Sequence, residues 1–335
     1  MINKQILLIA RPDNIPAPEH FSLVEADYPR LPDNGLIVQN RYLSIDPAMR
    51  GWICDFNNYL PPVEIGAVMR SLAVGEVIAS NNPEYKPGEK VTGWFGWQQF
   101  AGILPQQVLR KVLPSEGSLS ASLGVLGING ITAYEALTEI GRPQKGETIL
   151  VSTAAGGVGS LVGQLARLAG CRVIGLTGSD AKVAQSVNDF GYDVAINYKA
   201  TDSLTDAVAQ AAGQGIDIFF DNTGGEIADS VFPLMNLNGR VIQCGTSAVP
   251  SWNSVPLAPR RERYILTKRL LQQGFVVFDC LPKWPKIIAA LAQLLKNGDI
   301  SYQEDVREGL NNAPDALADL YKGNNRGKTL VKVEH

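Results

Sequence analysis

The sequence predicts an α/β protein built from a small antiparallel, barrel-like β domain and a doubly wound parallel sheet inserted into it. Three observations carry this expectation. At 335 residues the chain is longer than one compact core usually serves. Residues 1 to about 125 are rich in Pro, Gly and short apolar segments, the texture of a small β domain. After Leu119 the texture changes, and short strands alternate with segments of helical periodicity.

In the first part, 35–45 ("GLIVQNRYLSI"), 71–80 ("SLAVGEVIAS") and 89–95 ("EKVTGWF") are β-branched or aromatic runs bounded by turn residues, and they read as strands. "YKPGEKV" is a Pro-Gly turn feeding the third. A helix is predicted over 127–141, stopped by Gly141-Arg142-Pro143. Strands then follow at 147–153, 171–178, 194–198, 216–222, 240–246 and 275–279. Helices are predicted at 157–170, 180–191, 203–215, 226–239, 260–274 and 284–298, with a loop through Pro250 to Pro259. The runs "TILV", "RVIGL" and "IDIFF" are nearly continuously apolar, as strands buried on both faces must be, and connections of helical length make the sheet parallel. A last strand falls on 328–333, "KTLVKV". The domains are therefore expected to be 1–125 with 300–335, and 126–299.

Composition narrows the function. Hydrophobic residues make up 45% and charged residues 19%, ordinary for a globular protein, and a net charge of −3 gives no reason to expect nucleic acid or an anionic membrane. The longest apolar helix-like run, "IIAALAQLL", is far short of a membrane span, and the N-terminus lacks the pattern of a secretory signal. Cys54, Cys171, Cys244 and Cys280 are scattered without paired spacing, which points to a reduced, cytoplasmic chain. Only two histidines occur, His20 and His335, and neither is well placed for a Ser-His-Asp or Cys-His hydrolase. With no C-x-x-C and no H-E-x-x-H, no metal site is expected.

"VSTAAGGVGS", at 151–160, joins the first strand of the sheet to the following helix. Gly156, Gly157, Val158 and Gly159 form the turn, where glycine permits positive φ and close backbone approach. The helix N-terminus beyond it offers unpaired N–H groups to a pyrophosphate. Thr153 stands where a first glycine or alanine is usual, so only Gly156 and Gly159 fall on glycine positions of the dinucleotide pattern. The second strand ends in "GLTGSDAK". Asp180 suits a ribose 2′-OH and favours NAD, unless it is the N-cap of the next helix. Gly178 and Ser179 leave room for a phosphate, and Lys182 supplies a cation, which favours NADP. The residues alone leave NAD and NADP open.

The segments "YLSIDPAMRG", "YLPPVEIGAVM", "LGVLGINGITAYEAL", "VSTAAGGVGSLVGQLARLAGCRVIGLTGSDAKV", "FDNTGGEI", "GRVIQCGT" and "GNNRGKTLVKV" run in order from 42 to 333. In them the chain resembles the zinc-independent medium-chain dehydrogenases/reductases, closest to the prostaglandin reductase and leukotriene B4 12-hydroxydehydrogenase group and the bacterial curcumin reductases. The resemblance implies a GroES-like catalytic domain beside a Rossmann domain, and NADP(H) as cofactor. It implies that Lys182 and Tyr198 hold the 2′-phosphate. It places Asn222, Cys244, Gly245, Thr246, Phe275, Val276, Val277 and Asn325 along the cofactor, and it implies a homodimer. "GNNRGKT" is not a phosphate loop: three residues, not four, separate Gly323 from Gly327, and a strand follows.

The implied reaction is hydride addition to the β-carbon of an enone, then protonation of the α-carbon. The protein must hold the enone and stabilise the developing enolate oxygen. Without a usable histidine, the donor is expected to be a tyrosine, a cofactor ribose hydroxyl or water. The resemblance points to Tyr59 and Tyr264. Asp46, Met49 and Arg50 belong to a "DPxMR" stretch, in which Arg50 faces a pocket or a subunit interface. Phe56, Tyr59 and Trp94 suit a small, flat, apolar enone. A quinone reductase, a secondary-alcohol dehydrogenase or an NADPH-binding sensor without turnover are the alternatives.

Overall fold

In the computed structural model, residues 2–56, 58–249 and 256–334 are described; His335 and the 250–255 part of the expected loop lie outside them. The chain divides into two compact units, Met1–Gly124 with Glu304–His335, and Val125–Gln303.

The first unit begins with a hairpin of β1 (Ile2–Leu8) and β2 (Phe21–Asp27) that the sequence reading did not single out. β3 (Leu36–Ser44), β4 (Leu72–Ser80), β5 (Lys90–Trp94), β6 (Phe100–Ile103) and β7 (Val108–Lys111) follow, with the short helix α1 (Met49–Trp52) between β3 and β4. The three strands expected here are β3, β4 and β5, joined antiparallel.

The second unit alternates strand and helix. Its first helix, α2 (Ile128–Ala136), runs on through a π turn over Leu137–Gly141 and stops where Arg142 turns left-handed at φ 47°. Then come β8 (Thr148–Ser152), α3 (Gly159–Leu168), β9 (Arg172–Thr177), α4 (Asp180–Asn188), β10 (Val194–Asn197), α5 (Leu204–Ala212), β11 (Ile216–Asp221), α6 (Gly225–Val231), β12 (Met235–Gln243), α7 (Glu262–Lys268), β13 (Leu271–Gly274) and α8 (Trp284–Asn297). The six strands form one parallel sheet in the order β10-β9-β8-β11-β12-β13, so the direction of winding reverses between β8 and β11. β8 is buried along its whole length. Leu150, Ile174, Leu176, Phe219 and Val241 pack in the core with Val208, Val231 and Phe232.

The chain then returns to the first unit as β14 (Glu304–Glu308), α9 (Ala313–Lys322) and β15 (Lys328–Lys332). There β15 adds antiparallel to β3, and β14 adds parallel to β15, giving the order β14-β15-β3-β4-β5-β7 with β6 also on β3.

Three expectations are corrected. The helix over 226–239 ends at Val231. A 3₁₀ turn through Pro233 intervenes, and the strand starts at Met235, with Asn238 left-handed at φ 61°. Proline removes the amide that would continue the helix. The helix over 260–274 ends at Lys268, because Arg269 adopts φ 51°. The sixth strand is therefore 271–274, and 277–283 is a 3₁₀ segment where 275–279 had been expected as strand. An exposed edge strand such as β13 carries no apolar run, so the pattern pointed to the half-buried residues just beyond it.

Candidate active site

Because all six strands of the second unit are parallel, their carboxyl ends share one edge, and the residues following each strand line that edge.

The turn after β8 is built on Thr153, not on a left-handed glycine. Thr153 has φ 54°, while Gly156 and Gly159 keep ordinary backbone angles. The glycines serve close approach. A Cβ on Gly159 would lie 2.3 Å from the Thr153 carbonyl oxygen and 3.1 Å from Ala154 Cα. Further along α3, a Cβ on Gly163 would lie 2.3 Å from the ring of Tyr192, a buried residue whose hydroxyl donates to the Gly159 carbonyl at 2.6 Å. The helix thus starts against the strand and is clamped there. Gly156 N–H donates to Thr153 and Ser160 N–H to Gly156. Among the described residues, no backbone acceptor takes the N–H groups of Gly157, Val158 and Gly159, and α3 has no side-chain cap. An open helix start with free amides is an anion-binding arrangement.

At the winding reversal a buried hub links β8, β11 and β12. Asp221, fully buried, accepts from the Thr223 and Gly224 amides at 2.8 Å each, from the Thr223 hydroxyl at 3.0 Å and from Gln243 Nε2 at 3.1 Å. Its carbonyl accepts from the amides of Cys244 and Gly245. Asn222 donates its amide to Ser152 Oγ and its side-chain Nδ2 to the Ser152 carbonyl, both at 2.8 Å. Asn222 therefore staples the ends of β8 and β11 together. Gly245 must be glycine, since a Cβ there would lie 2.6 Å from the Asn222 carbonyl oxygen. Burial, then the nearby Asp221 carboxylate, push the Cys244 thiol up to about 12, so it stays neutral beside the hub. Thr246 follows, half-buried, and Phe275, Val276 and Val277 lie half-buried after β13, with Phe275 N–H extending the ladder to the Gln243 carbonyl. The sequence reading missed Ser152, Asp221 and Gln243. An acidic residue closing the apolar run "IDIFFD" just before "NTGG" was the available signal.

After β9, Ser179 rather than Asp180 is the N-cap of α4, its hydroxyl accepting from Lys182 N–H at 3.4 Å. Asp180 is the first helical residue, exposed, and accepts from Asn197 Nδ2 at 2.7 Å. Lys182 is half-buried. Tyr198 follows β10, and a Cβ on Gly178 would lie 3.1 Å from its hydroxyl oxygen. Glycine at 178 thus lets the phenol lie close over the end of β9. The Tyr198 ring packs against the core, and burial holds its hydroxyl protonated by raising its pKa. Tyr264, on α7, also packs its half-buried ring against that core.

In the first unit, Tyr59 is 48% exposed, and its hydroxyl accepts from the indole N–H of buried Trp52 at 3.1 Å. Trp94 packs edge-on against Trp52, with ring centroids 5.5 Å apart, and Phe56 is half-buried nearby in sequence. Met49 is fully buried, and the guanidinium of buried Arg50 lies 5.6 Å from the Tyr321 ring centroid. Asp46 is held in a buried ion pair. It pairs with Lys328 Nζ at 2.5 Å, both side chains being nearly inaccessible, and accepts from Ser44 Oγ at 2.5 Å. Asn325 closes the turn into β15 by donating to the Gly327 carbonyl at 3.1 Å. His20 bonds locally to the backbone of Ala17. Among the described residues, no three His, Cys, Asp or Glu side chains converge as a metal site would require.

Two family descriptions match this chain: "N-terminal domain of oxidoreductase" over residues 4–112 and "Zinc-binding dehydrogenase" over 157–294. The chain is 38% identical over 338 residues to the NADPH-dependent curcumin reductase of Escherichia coli K12, covering 99% of this chain and 97% of the relative. It is 39% identical over 327 residues to prostaglandin reductase 1 of Bos taurus, covering 95% of each. The crystal structure of CurA in complex with NADPH from Vibrio vulnificus superposes with a TM-score of 0.91 at 38% identity, over 99% of both chains. With that likeness over nearly the whole chain, the protein belongs to the medium-chain dehydrogenase/reductase family, in the group that holds the prostaglandin and curcumin reductases.

Proposed function

We propose that this protein reduces the carbon–carbon double bond of α,β-unsaturated ketones and aldehydes with NADPH, without zinc. The observation that carries the cofactor half is the edge after β9 and β10, where the Tyr198 hydroxyl closes over Gly178 and Lys182 follows on the first turn of α4. A phosphate fits a hydroxyl donor and an ammonium, whereas a bare ribose 2′-OH needs neither. The names of the relatives, NADPH-dependent curcumin reductase, NADP(+)-dependent 2-alkenal reductase and (+)-pulegone reductase, support the reaction half.

When bound, the reduced nicotinamide supplies the hydride. The chain's residues do the rest. The free amides of Gly157, Val158 and Gly159 bind the pyrophosphate. Lys182 and Tyr198 take the 2′-phosphate, and the segments 222, 244–246, 275–277 and 325 line the cofactor. Tyr59 donates its hydroxyl proton towards the enolate oxygen. Trp52 already donates to that hydroxyl, and an oxygen that accepts a hydrogen bond is a better donor. Tyr264 is the weaker candidate, since its ring is committed to core packing. Trp94 and Phe56 suit a small apolar substrate. Met1–Gly124 with Glu304–His335 form the catalytic domain and Val125–Gln303 the NADP-binding domain.

We further read the protein as a cytoplasmic homodimer. None of the four cysteines is paired, and β13, one of the two outer strands of the sheet among the described residues, is exposed along its length with Leu271 at 46%. An open edge of this kind invites a second copy, and light scattering on the purified protein tests it.

The test of function follows the NADPH absorbance band with 3-nonen-2-one, a quinone and a secondary alcohol, with NADH alongside. Steady NADPH oxidation with the enone is expected. Turnover with the quinone alone, alcohol oxidation without enone reduction, or binding without turnover would refute the reading. Lys182→Ala and Tyr198→Phe are each expected to cut the NADPH-to-NADH preference about tenfold. Equal use of NADH by the unmodified chain would refute both assignments.

A further inference from the structure

We infer that Lys199, with the turn that carries it, is a further determinant of NADPH specificity, supplying the second cation to the ribose 2′-phosphate; the inference rests on the NADPH reading above. A Cβ built on Gly178 would lie 3.1 Å from the Tyr198 hydroxyl oxygen and 3.3 Å from Lys199 Cε. The phenol and the lysine stem thus close on one glycine-cleared point at the end of β9. The lysine ammonium is one bond beyond its Cε. A single phosphate, accepting from each group at roughly 2.8 Å, reaches both.

Asn197 organises this turn. Its Oδ1 accepts from Lys199 N–H at 3.1 Å, its carbonyl accepts from Ala200 N–H at 3.1 Å, and its Nδ2 donates to Asp180 Oδ1 at 2.7 Å. Tyr198 N–H is fixed to the Thr177 carbonyl at 3.0 Å, so the turn is anchored on the strand that Gly178 ends.

Charge decides why a second cation is needed. Lys182 and Asp180 stand two residues apart on the first turn of α4, so their charges largely cancel at a distance. A monoester phosphate carries nearly two negative charges at neutral pH. Without Lys199 this edge would meet it close to neutral; with Lys199 the edge is positive. Lys199 is exposed, as the solvent-facing end of a cofactor site allows, so its side chain can be changed without touching the core.

The test is steady-state kinetics of Lys199→Met and Lys199→Arg with NADPH and with NADH, using 3-nonen-2-one at saturation. The methionine keeps the stem and removes the charge. Its KM for NADPH is expected to rise about five- to tenfold, with kcat and the KM for NADH unchanged, and arginine is expected to restore the NADPH value to within about twofold. An NADPH KM for Lys199→Met within about twofold of the unmodified chain, or an equal rise for NADH, overturns the inference. If the unmodified chain shows no preference for NADPH, the reading beneath it has failed instead, and the two failures are told apart by which protein shows them.

Discussion

Gly159 and Gly156 lie three residues apart in one motif, and their geometry separates their roles. A Cβ on Gly159 would sit 2.3 Å from the Thr153 oxygen, 2.9 Å from its carbonyl carbon and 3.1 Å from Ala154 Cα. These are backbone atoms, roughly 1 Å closer than ordinary contact allows. They have little freedom to yield. Thr153 is already left-handed, Ala154 N–H is fixed to the Leu176 carbonyl and Gly156 N–H to Thr153. Overpacking of this kind costs about 1–3 kcal/mol, of which alanine's better helix propensity returns at most about 1 kcal/mol. In a unit of this size a net loss of about 1–2 kcal/mol lowers Tm by about 2–8 °C. The same displacement moves the amides proposed to bind the pyrophosphate, so NADPH affinity should fall about tenfold or more. On Gly156 the nearest atom is the Thr153 oxygen at 3.1 Å and the next is at 3.7 Å, so a shift of a few tenths of an ångström suffices. Gly156→Ala should therefore cost less than about 1 kcal/mol. Thermal unfolding of the ligand-free protein and NADPH titration by fluorescence measure both effects. If Gly159→Ala melts and binds like the unmodified protein, or Gly156→Ala is as damaging, the close-approach argument is wrong.

Three further expectations follow from other sites. Lys328→Met strands the buried Asp46 carboxylate and should cost about 3–5 kcal/mol in urea unfolding, while adding Asp46→Asn should recover more than half; no loss in the single variant would show that the pair is inert. Tyr59→Phe should lower kcat for the enone by about tenfold to a hundredfold with NADPH affinity unchanged, and an unaltered kcat would remove Tyr59 from the reaction. Burial, reinforced by Glu147, raises Cys171 to about 11, and burial with Asp221 raises Cys244 to about 12. Both favour the neutral thiol in the folded state, so the stability they contribute is intact below the unfolded thiol pKa of about 8.5 and drains as pH rises towards the folded values. Iodoacetamide at pH 8 should label buried Cys171 and half-buried Cys244 only slowly in the native protein and fast in urea, and rapid native labelling would contradict the raised pKa values.

The sequence by itself determined the class of fold and the shared edge at which the strands of its parallel sheet end. Continuously apolar runs such as "TILV" and "IDIFF" can only be strands covered on both faces, and their alternation with helices fixes a parallel sheet whose loops share one edge. Periodicity is a local signal, and it failed where tertiary contacts overrode it. The end of α7 depends on Arg269 turning left-handed, and β13 is a strand only because β12 offers it a ladder. Nor does spacing distinguish a glycine that needs positive φ from one that needs an empty Cβ position. Thr153 takes the left-handed angle while Gly159 and Gly163 take the close contacts with the Thr153 carbonyl and the Tyr192 ring. The choice between Asp180 and Ser179 as N-cap, the Asp46–Lys328 pair between residues 282 apart, and the meeting of Tyr198 and Lys199 over Gly178 were likewise decided only in three dimensions. Each depends on distances between particular atoms in the folded chain, near in sequence for the cap and far for the ion pair, and residue spacing carries no information about those distances.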